Sequence, residues 1–267
     1  MGLSEQEKKR DAAEEVSPNQ PKNIALIIIS ATLIATGVGA AGFAAWRYAA
    51  QQKEVGQTER ALSIPSIIFA EAKKGIDITA LSKDRIARAV SSEITSVDLR
   101  LDFIEQIYFA KDVAGSSETL APEEKVQILV SASEFFNTLE SGMPESLARA
   151  LAPDLFFGVH VFNGNQPFII LRTDFFESAF AGMLKWESSL ARDVLPLFGE
   201  TVTSDLVVRP FEDVVIRNRD MRILRNKGGD IVLIYLFQDK HTIIIATADE
   251  TIKEVVDRLN RPDGAGK

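Results

Sequence analysis

The feature that most constrains this chain is an apolar segment at residues 23–46, which contains no Asp, Glu, Lys or Arg. As a helix rising ~1.5 Å per residue it would reach about 36 Å, enough to cross a hydrocarbon layer about 30 Å thick. Lipid offers no partners for open backbone groups, so a single spanning segment has to be helical. We therefore predict a transmembrane helix at 23–46, anchored by Ile24, Ile28, Leu33 and Trp46.

Two other interpretations fit this segment less well. A cleaved signal peptide has a shorter apolar core and a basic leader, whereas residues 1–22 carry more acidic than basic side chains. Residues 37–42 match the G-x-G-x-x-G pattern of dinucleotide-binding folds, but alternating strands and helices do not follow them. The small residues Ala31, Ala35 and Gly39 instead form a stripe that suits helix–helix contact in lipid and would allow a homo-oligomer.

The segment divides the chain into a short tail and a large folded part. The tail is short and carries four Lys and Arg, against three just after the span, which favours a cytoplasmic N-terminus and a main domain outside the cytoplasm. The predicted organisation is a polar tail at 1–22, the transmembrane helix at 23–46, a connector at 47–61, an N-terminal half at 62–152, a C-terminal half at 153–260 and a disordered end at 261–267.

Composition narrows the classes of function. The net charge of −8 disfavours nucleic acid as a partner, because phosphate backbones bind basic surfaces. The absence of cysteine excludes disulfides, thiolate catalysis and Cys-ligated metals, and two histidines are too few for a His-rich metal site. The sequence therefore predicts neither a metal nor a cofactor.

The hydrophobic patterns predict an α+β fold, in which helices pack on one face of a mostly antiparallel sheet. Strands are predicted at 66–70, 99–110, 155–162, 168–172, 214–218, 221–225, 231–237 and 242–247. Helices are predicted at 83–94, at 122–142 with Pro122 in its first turn, at 144–151, at 174–197 and at 247–259. Asp174 with Glu177, and Thr247 with Glu250, have the spacing of capping boxes.

Two segments of the C-terminal half resemble each other. Residues 160–184 and 235–259 each consist of a strand, a four-residue turn, a second strand and a helix. This similarity indicates either two hairpin-helix repeats from a duplication or the ordinary layout of any hairpin followed by a helix.

Catalytic motifs are missing from the sequence. It contains no nucleophile elbow, zinc-protease motif, phosphate-binding loop or calcium loop, which favours a protein that is not an enzyme. His160, in a predicted strand, is the candidate general base of the alternative, a membrane-anchored hydrolase; a second alternative is a ligand sensor with a cavity lined by both hairpins. The candidate carboxylates for the hydrolase are Asp174, Glu177, Glu187, Asp213 and Asp220.

Two clusters are candidates for binding a partner. The first is an aromatic cluster at the start of the helix at 174–197, which is either core or an exposed patch. It comprises Phe175, Phe176, Phe180, Met183 and Trp186, and Leu184 lies among them. The second is a basic ribbon, which is either a solvated strand face or a contact surface. It comprises Arg217, Arg219, Arg222 and Arg225.

The sequence thus favours a membrane-anchored interaction or assembly component of a prokaryotic cell-envelope complex. Its expected partners are membrane lipid and other envelope proteins. The order of tail, span and domain is similar to that of single-span subunits of bacterial secretion, pilus and division complexes. No specific motif supports that similarity, which concerns layout alone.

Overall fold

The computed structural model describes residues 63–114 and 125–261. The predicted tail, transmembrane helix and connector lie outside these residues, as does the predicted helix start at Pro122. Within the described ranges, none of the helices combines the length and the apolar composition that crossing a membrane requires.

A single sheet of nine strands forms the centre of the described part and runs through both predicted halves. The strands are β1 (Ala72–Asp77), β2 (Ile104–Ala114), β3 (Lys125–Leu129), β4 (Leu151–Val161), β5 (Asn165–Thr173), β6 (Glu212–Ile216), β7 (Arg219–Arg225), β8 (Ile231–Asp239) and β9 (Thr242–Ala246). Their lateral order is β1-β2-β4-β5-β9-β8-β7-β6, and β3 pairs with the C-terminal half of β2. Only β1 and β2 pair in parallel among the described strands, so the predicted mostly antiparallel sheet is confirmed.

Six helices accompany the sheet in the described residues. They are α1 (Lys83–Ser96), α2 (Ala132–Thr138), α3 (Glu145–Ala150), α4 (Phe176–Val194), α5 (Ser204–Val208) and α6 (Asp249–Leu259). The mixed α+β class predicted from the sequence is therefore confirmed.

The helices cover both faces of the sheet, and the expectation of one covered face is wrong. Ile169 and Ile243 belong to a core that includes α1 to α4, whereas Ile170 and Ile244 belong to a second core with α6. Successive strand residues point to opposite faces, so these two cores lie on opposite sides. The reason is visible in β9, which is buried at every position and therefore needs a cover on each face.

The two similar segments do form hairpins followed by helices, β4–β5–α4 and β8–β9–α6. Their second strands, β5 and β9, are adjacent and antiparallel at the centre of the sheet. A twofold axis between antiparallel neighbours would leave both helices on one face, yet α4 and α6 pack on opposite faces. This arrangement favours the ordinary layout of hairpins over a pseudo-symmetric duplication.

Several element boundaries differ from those predicted. Residues 66–70 form no strand, and β1 begins at Ala72. Residues 125–129, predicted as helix, form β3, because Val126 and Ile128 alternate with polar residues as a strand requires. The helix begins only at Ala132, where the Ser131 hydroxyl accepts a hydrogen bond from the backbone N–H of Glu134 at 3.3 Å.

Neither predicted capping box forms. The helix-start positions of α4 and α6 have no side-chain cap. Instead, the Thr173 hydroxyl accepts a hydrogen bond from the backbone N–H of Phe175 at 3.1 Å. The Thr247 hydroxyl donates to the side chain of Gln166 at 3.0 Å.

Candidate functional site

The structure divides the predicted aromatic cluster between core and surface. Met183 and Trp186 are fully buried, and the Trp186 indole packs edge-on against Phe136 with ring centroids 5.1 Å apart. Phe175 and Phe180 are 63% and 45% exposed, while Phe176 is half-buried. Part of the predicted cluster is therefore exposed apolar surface.

Three aromatic rings meet at this surface. The Phe237 ring of β8 lies 5.3 Å from that of Phe176 and 5.6 Å from that of Phe180, centroid to centroid. Leu184, one turn beyond Phe180, is 41% exposed. We call Phe176, Phe180, Leu184 and Phe237 the α4 patch. Sequence reasoning included Leu184, since 176, 180 and 184 lie on one helix stripe, but it missed Phe237 of the neighbouring strand.

The α4 patch continues onto β6 and β7, which no helix within residues 63–114 and 125–261 covers at this end. Val215 of β6 pairs with Asp220 of β7, and Arg222 pairs with Tyr235 of β8. Continuing that register places Asp220 beside Phe237, which agrees with the hydrogen bond from Arg219 to Gln238 at 3.4 Å. Paired residues share a face, so Val215, 69% exposed, extends the patch to the edge strand β6.

A polar network fixes α4 against β7 and β8. The Arg222 guanidinium donates to both carboxylate oxygens of Glu187, and the Tyr235 hydroxyl donates to one of them at 2.5 Å. Burial, followed by this hydrogen bond, raises the pKa of Tyr235. The hydrogen bonds to Glu187 are the main cause that raises the pKa of Arg222. Glu187 is thus held as a structural ion-pair partner.

Three of the four arginines in the predicted basic ribbon are paired with carboxylates, and Arg219 donates to the carboxamide of Gln238. Arg222 also contacts Asp213 at 2.9 Å, Arg225 contacts Glu212 at 3.5 Å, and Arg217 contacts Asp249 at 3.2 Å. Arg217 does not continue the strand predicted at 214–218, because it and Asn218 have positive φ angles of 51° and 61° and make a two-residue hairpin turn. The four arginines therefore do not present one continuous basic surface.

His160 is sealed on the opposite face of the sheet, beneath α6. Its side chain is 1% exposed, and its Nδ1 lies 3.1 Å from the hydroxyl of Thr251. Its Nε2 is buried without a hydrogen-bond partner, 3.6 Å from a carboxylate oxygen of Asp102. Burial lowers the pKa of His160, and the nearby carboxylates of Glu254 and Asp102 oppose that effect.

Arg258 of α6 completes this polar cluster. Its guanidinium donates to Glu254 at 2.7 Å, to Glu71 at 2.9 Å, and to the backbone carbonyls of Phe69 and Asp102 at 2.8 and 2.7 Å. These bonds tie α6 to the segment before β1 and to the turn before β2. A general base needs a ring nitrogen that a substrate can reach, whereas His160 is sealed inside the domain. The cluster instead holds α6 against the segments before β1 and β2.

A small cavity of about 120 Å³ lies elsewhere, between β2, β3 and β4. It is lined by Gln106, Tyr108 and Ser131, together with Ile64, Pro65, Phe109, Leu129, Val130, Pro153, Asp154 and Leu155. It includes neither His160 nor any residue of β8 or β9, so it is not the two-hairpin cavity expected of a ligand sensor.

The remaining acidic candidates do not converge with His160. Asp174 and Glu177 are exposed at the start of α4, and Asp220 is exposed on β7. Glu105 of β2 has one carboxylate oxygen buried without a partner, and burial, then the nearby charge of Glu93, raises its pKa. Among the described residues, no three Asp, Glu or His side chains are grouped so as to hold a metal ion.

Comparison with known proteins identifies no relative: no family model, curated protein or solved structure matches the chain. The α4 patch and the apolar segment at 23–46 are therefore the features of this chain that bear on its function.

Proposed function

We propose that this protein is a non-enzymatic interaction component of a cell-envelope complex, anchored by a helix at 23–46. Its N-terminal tail lies in the cytoplasm, and its α+β domain lies outside the cytoplasm. The domain binds another envelope protein, and the contact surface is the α4 patch.

The exposure of the α4 patch is the observation that carries this proposal. Phe180 and Leu184 are both exposed large apolar side chains one turn apart on α4, and the Phe180 ring adjoins those of Phe176 and Phe237. Contiguous exposed apolar surface is unfavourable in water, and aromatic side chains contribute much of the binding energy of protein interfaces. A patch of this kind is typical of a surface that a partner covers.

The other features of the domain support the same function. The arginines of β7 and Arg217 of the turn before it are engaged by carboxylates or by a carboxamide, which disfavours a nucleic-acid partner. The His160 cluster is engaged in holding α6. The uncharged segment at 23–46 supports attachment to a membrane.

The contact surface is tested by photo-crosslinking in native membranes. A benzophenone amino acid replaces Phe180 in the full chain, and the matched control carries it in place of Lys185, which is exposed on the same helix. Positions 180 and 185 point about 140° apart on a helix. We expect a discrete protein adduct from position 180 and none from position 185. Equal yields from both positions, or no adduct from position 180, would overturn the proposed surface.

The membrane anchor is tested separately by alkaline carbonate extraction. We expect the full chain to remain with the membrane and a variant that lacks residues 1–46 to be released. Release of the full chain would contradict the anchor. Protease added outside intact spheroplasts should digest the domain, and protection of the domain would contradict the proposed orientation.

A further inference from the structure

The α4 patch has the shape of a corner between a helix and a sheet. Phe176, Phe180 and Leu184 form its wall along α4, and Phe237 lies at the base of that wall. The floor continues across β7 to Val215 on the edge strand β6. At the other end of these strands Phe211 covers the sheet, its ring 5.6 Å from that of Tyr235. The uncovered surface is therefore bounded by α4 on one side and open at the sheet edge.

The width of this corner matches one further helix. Neighbouring strands are about 4.8 Å apart, so the distance from β8 to β6 is about 10 Å. Packed helices have axes separated by about 8–10 Å. A helix lying beside α4 over β7 and β6 would thus cover the wall and the floor together.

The charges around the corner are predominantly acidic. Asp213 is 85% exposed at its side chain, and Asp220 beside Phe237 is exposed and has no ion-pair partner among the described residues. Glu177 is exposed one turn before Phe180. Arg222 is the cation on the floor, and Glu187 and Asp213 already engage it.

From this combination of shape and charge we infer that the α4 patch binds a basic amphipathic helix of another protein, lying beside α4. This inference rests on the proposed function and specifies the partner at the same surface. The apolar side of the partner helix covers Phe180, Leu184 and Phe237. Its Lys or Arg side chains, on the flank over β6 and β7, pair with Asp213 and Asp220.

The same charges disfavour two other occupants. A second copy of this chain would bring an identical acidic rim against the first, and like charges facing each other oppose association. Anionic lipid headgroups would likewise meet the carboxylates of Asp213, Asp220 and Glu177. A basic protein segment has the complementary charge.

Defined peptides test the partner chemistry. Three labelled helical peptides of about 18 residues, or five turns, share one Leu/Phe stripe and carry Lys, Gln or Glu on the flanking positions. Each is titrated by fluorescence anisotropy into the full chain held in nanodiscs of zwitterionic lipid, with empty nanodiscs as the blank. We expect the Lys peptide to bind about tenfold or more tightly than the Glu peptide, and added salt to reduce that ratio.

Variants locate the binding site. Phe180→Ser should weaken binding of the Lys peptide by about tenfold, whereas the matched control Lys185→Ser leaves it unchanged. Asp213→Asn with Asp220→Asn should bring the affinities of the Lys and Glu peptides together. A thermal melt of each variant checks that the fold is retained, as expected for exposed positions.

Three outcomes overturn the inference. They are equal binding of the Lys and Glu peptides, Lys-peptide binding that is insensitive to Phe180→Ser, and a dimer of the full chain that Phe180→Ser dissociates. If position 180 still crosslinks to another protein while the peptides show no charge preference, the proposed function stands and the partner chemistry is wrong. If position 180 captures nothing, the proposed function fails, independently of the peptide result.

Discussion

The guanidinium of Arg222 donates two hydrogen bonds to the carboxylate of Glu187, at 2.7 and 2.6 Å. This bidentate pair joins α4 to β7, and it lies beside the uncovered strands of the proposed contact surface. Both side chains are more than three-quarters buried. The pair therefore sets the position of α4 next to the corner that we propose as a binding site.

Arg222→Met should lower the free energy of unfolding by about 2 kcal/mol, because it leaves the Glu187 carboxylate partly buried without its cation. Arg222→Lys should lose less, since a lysine keeps the charge but not the planar fork. Urea denaturation of each variant measures the effect. The matched control is Arg149→Met, which breaks an exposed pair with Glu145 and should cost under about 0.5 kcal/mol. Equal losses for the two methionine variants would contradict the structural role of Arg222.

The stability of the fold should fall with acidification because of His160, whose pKa is held below its ordinary value of 6.5, first by burial. Well above pH 6.5 the imidazole is neutral in both the folded and the unfolded chain, so its protonation does not affect stability there. As the pH falls below 6.5, the unfolded chain binds the proton first, and the free energy of unfolding decreases until the lower folded pKa is passed.

His160→Gln removes this contribution. The free energy of unfolding of the wild type, minus that of the variant, should therefore decrease between about pH 7.5 and pH 5.5, by at most about 1.4 kcal/mol per pH unit. Chemical denaturation across this range measures the difference. The variant keeps every other side chain, so the difference between the two profiles reports mainly on His160. Parallel pH profiles would show that burial does not disfavour the charged imidazole of His160.

The sheet could be predicted from local patterns because its strand limits are set by turns. Asn163-Gly164, and Gly228-Gly229 before β8, interrupt apolar runs, and the strands on either side form within a few residues of the predicted positions. Residues 125–129 are wrongly predicted as helix because Val126, Leu129 and Val130 have helical spacing, although Val126 and Ile128 equally fit a strand; the helix forms at Ala132–Thr138. Whether these residues form a strand or a helix depends on their pairing with β2, which local spacing does not specify.

The candidate site could be predicted only in part. The spacing of Phe176 and Phe180 was enough to mark an aromatic helix stripe, but exposure depends on whether another helix covers β6 and β7, which is a tertiary property. The pairing of the arginines with carboxylates could not be predicted either, since Arg222 and Glu187 are 35 residues apart in the chain. The two-sided burial of β9 was signalled by its continuous apolar residues, although not by which helix covers each face.

Glu105→Gln should stabilise the fold at neutral pH. Burial, and then the charge of Glu93, raises the pKa of Glu105 above its ordinary value of 4.5, so ionisation of this side chain disfavours the folded state. That penalty is absent below pH 4.5, appears as the pH rises, and is complete above the folded pKa. We expect a gain of about 0.5–1 kcal/mol at pH 7 that disappears near pH 4, measured by urea denaturation at both values. Glu93→Gln removes the second cause but also breaks the pair with Lys74 at 3.7 Å, so it should give a smaller gain. A loss of stability in Glu105→Gln at pH 7 would contradict the proposed burial penalty.

Gly158→Ala should destabilise the sheet, because Phe168 of the neighbouring strand lies directly over Gly158. A Cβ added at position 158 would come within 2.2 Å of the Phe168 ring. That ring is fully buried and stacks on Phe156 at a centroid distance of 5.8 Å, so it has little room to move. Overpacking of this kind costs about 1–3 kcal/mol, and thermal or urea denaturation would measure it.

A second substitution separates the clash from other effects of alanine at position 158. Phe168→Leu shortens the side chain over Gly158 and, alone, should cost stability through lost packing. Combined with Gly158→Ala, it provides room for the new methyl group. The double variant should therefore lose about 1 kcal/mol less than the two single losses added together. Additive losses would show that the Phe168 ring yields to the methyl group and that its position over Gly158 is not a constraint on β4.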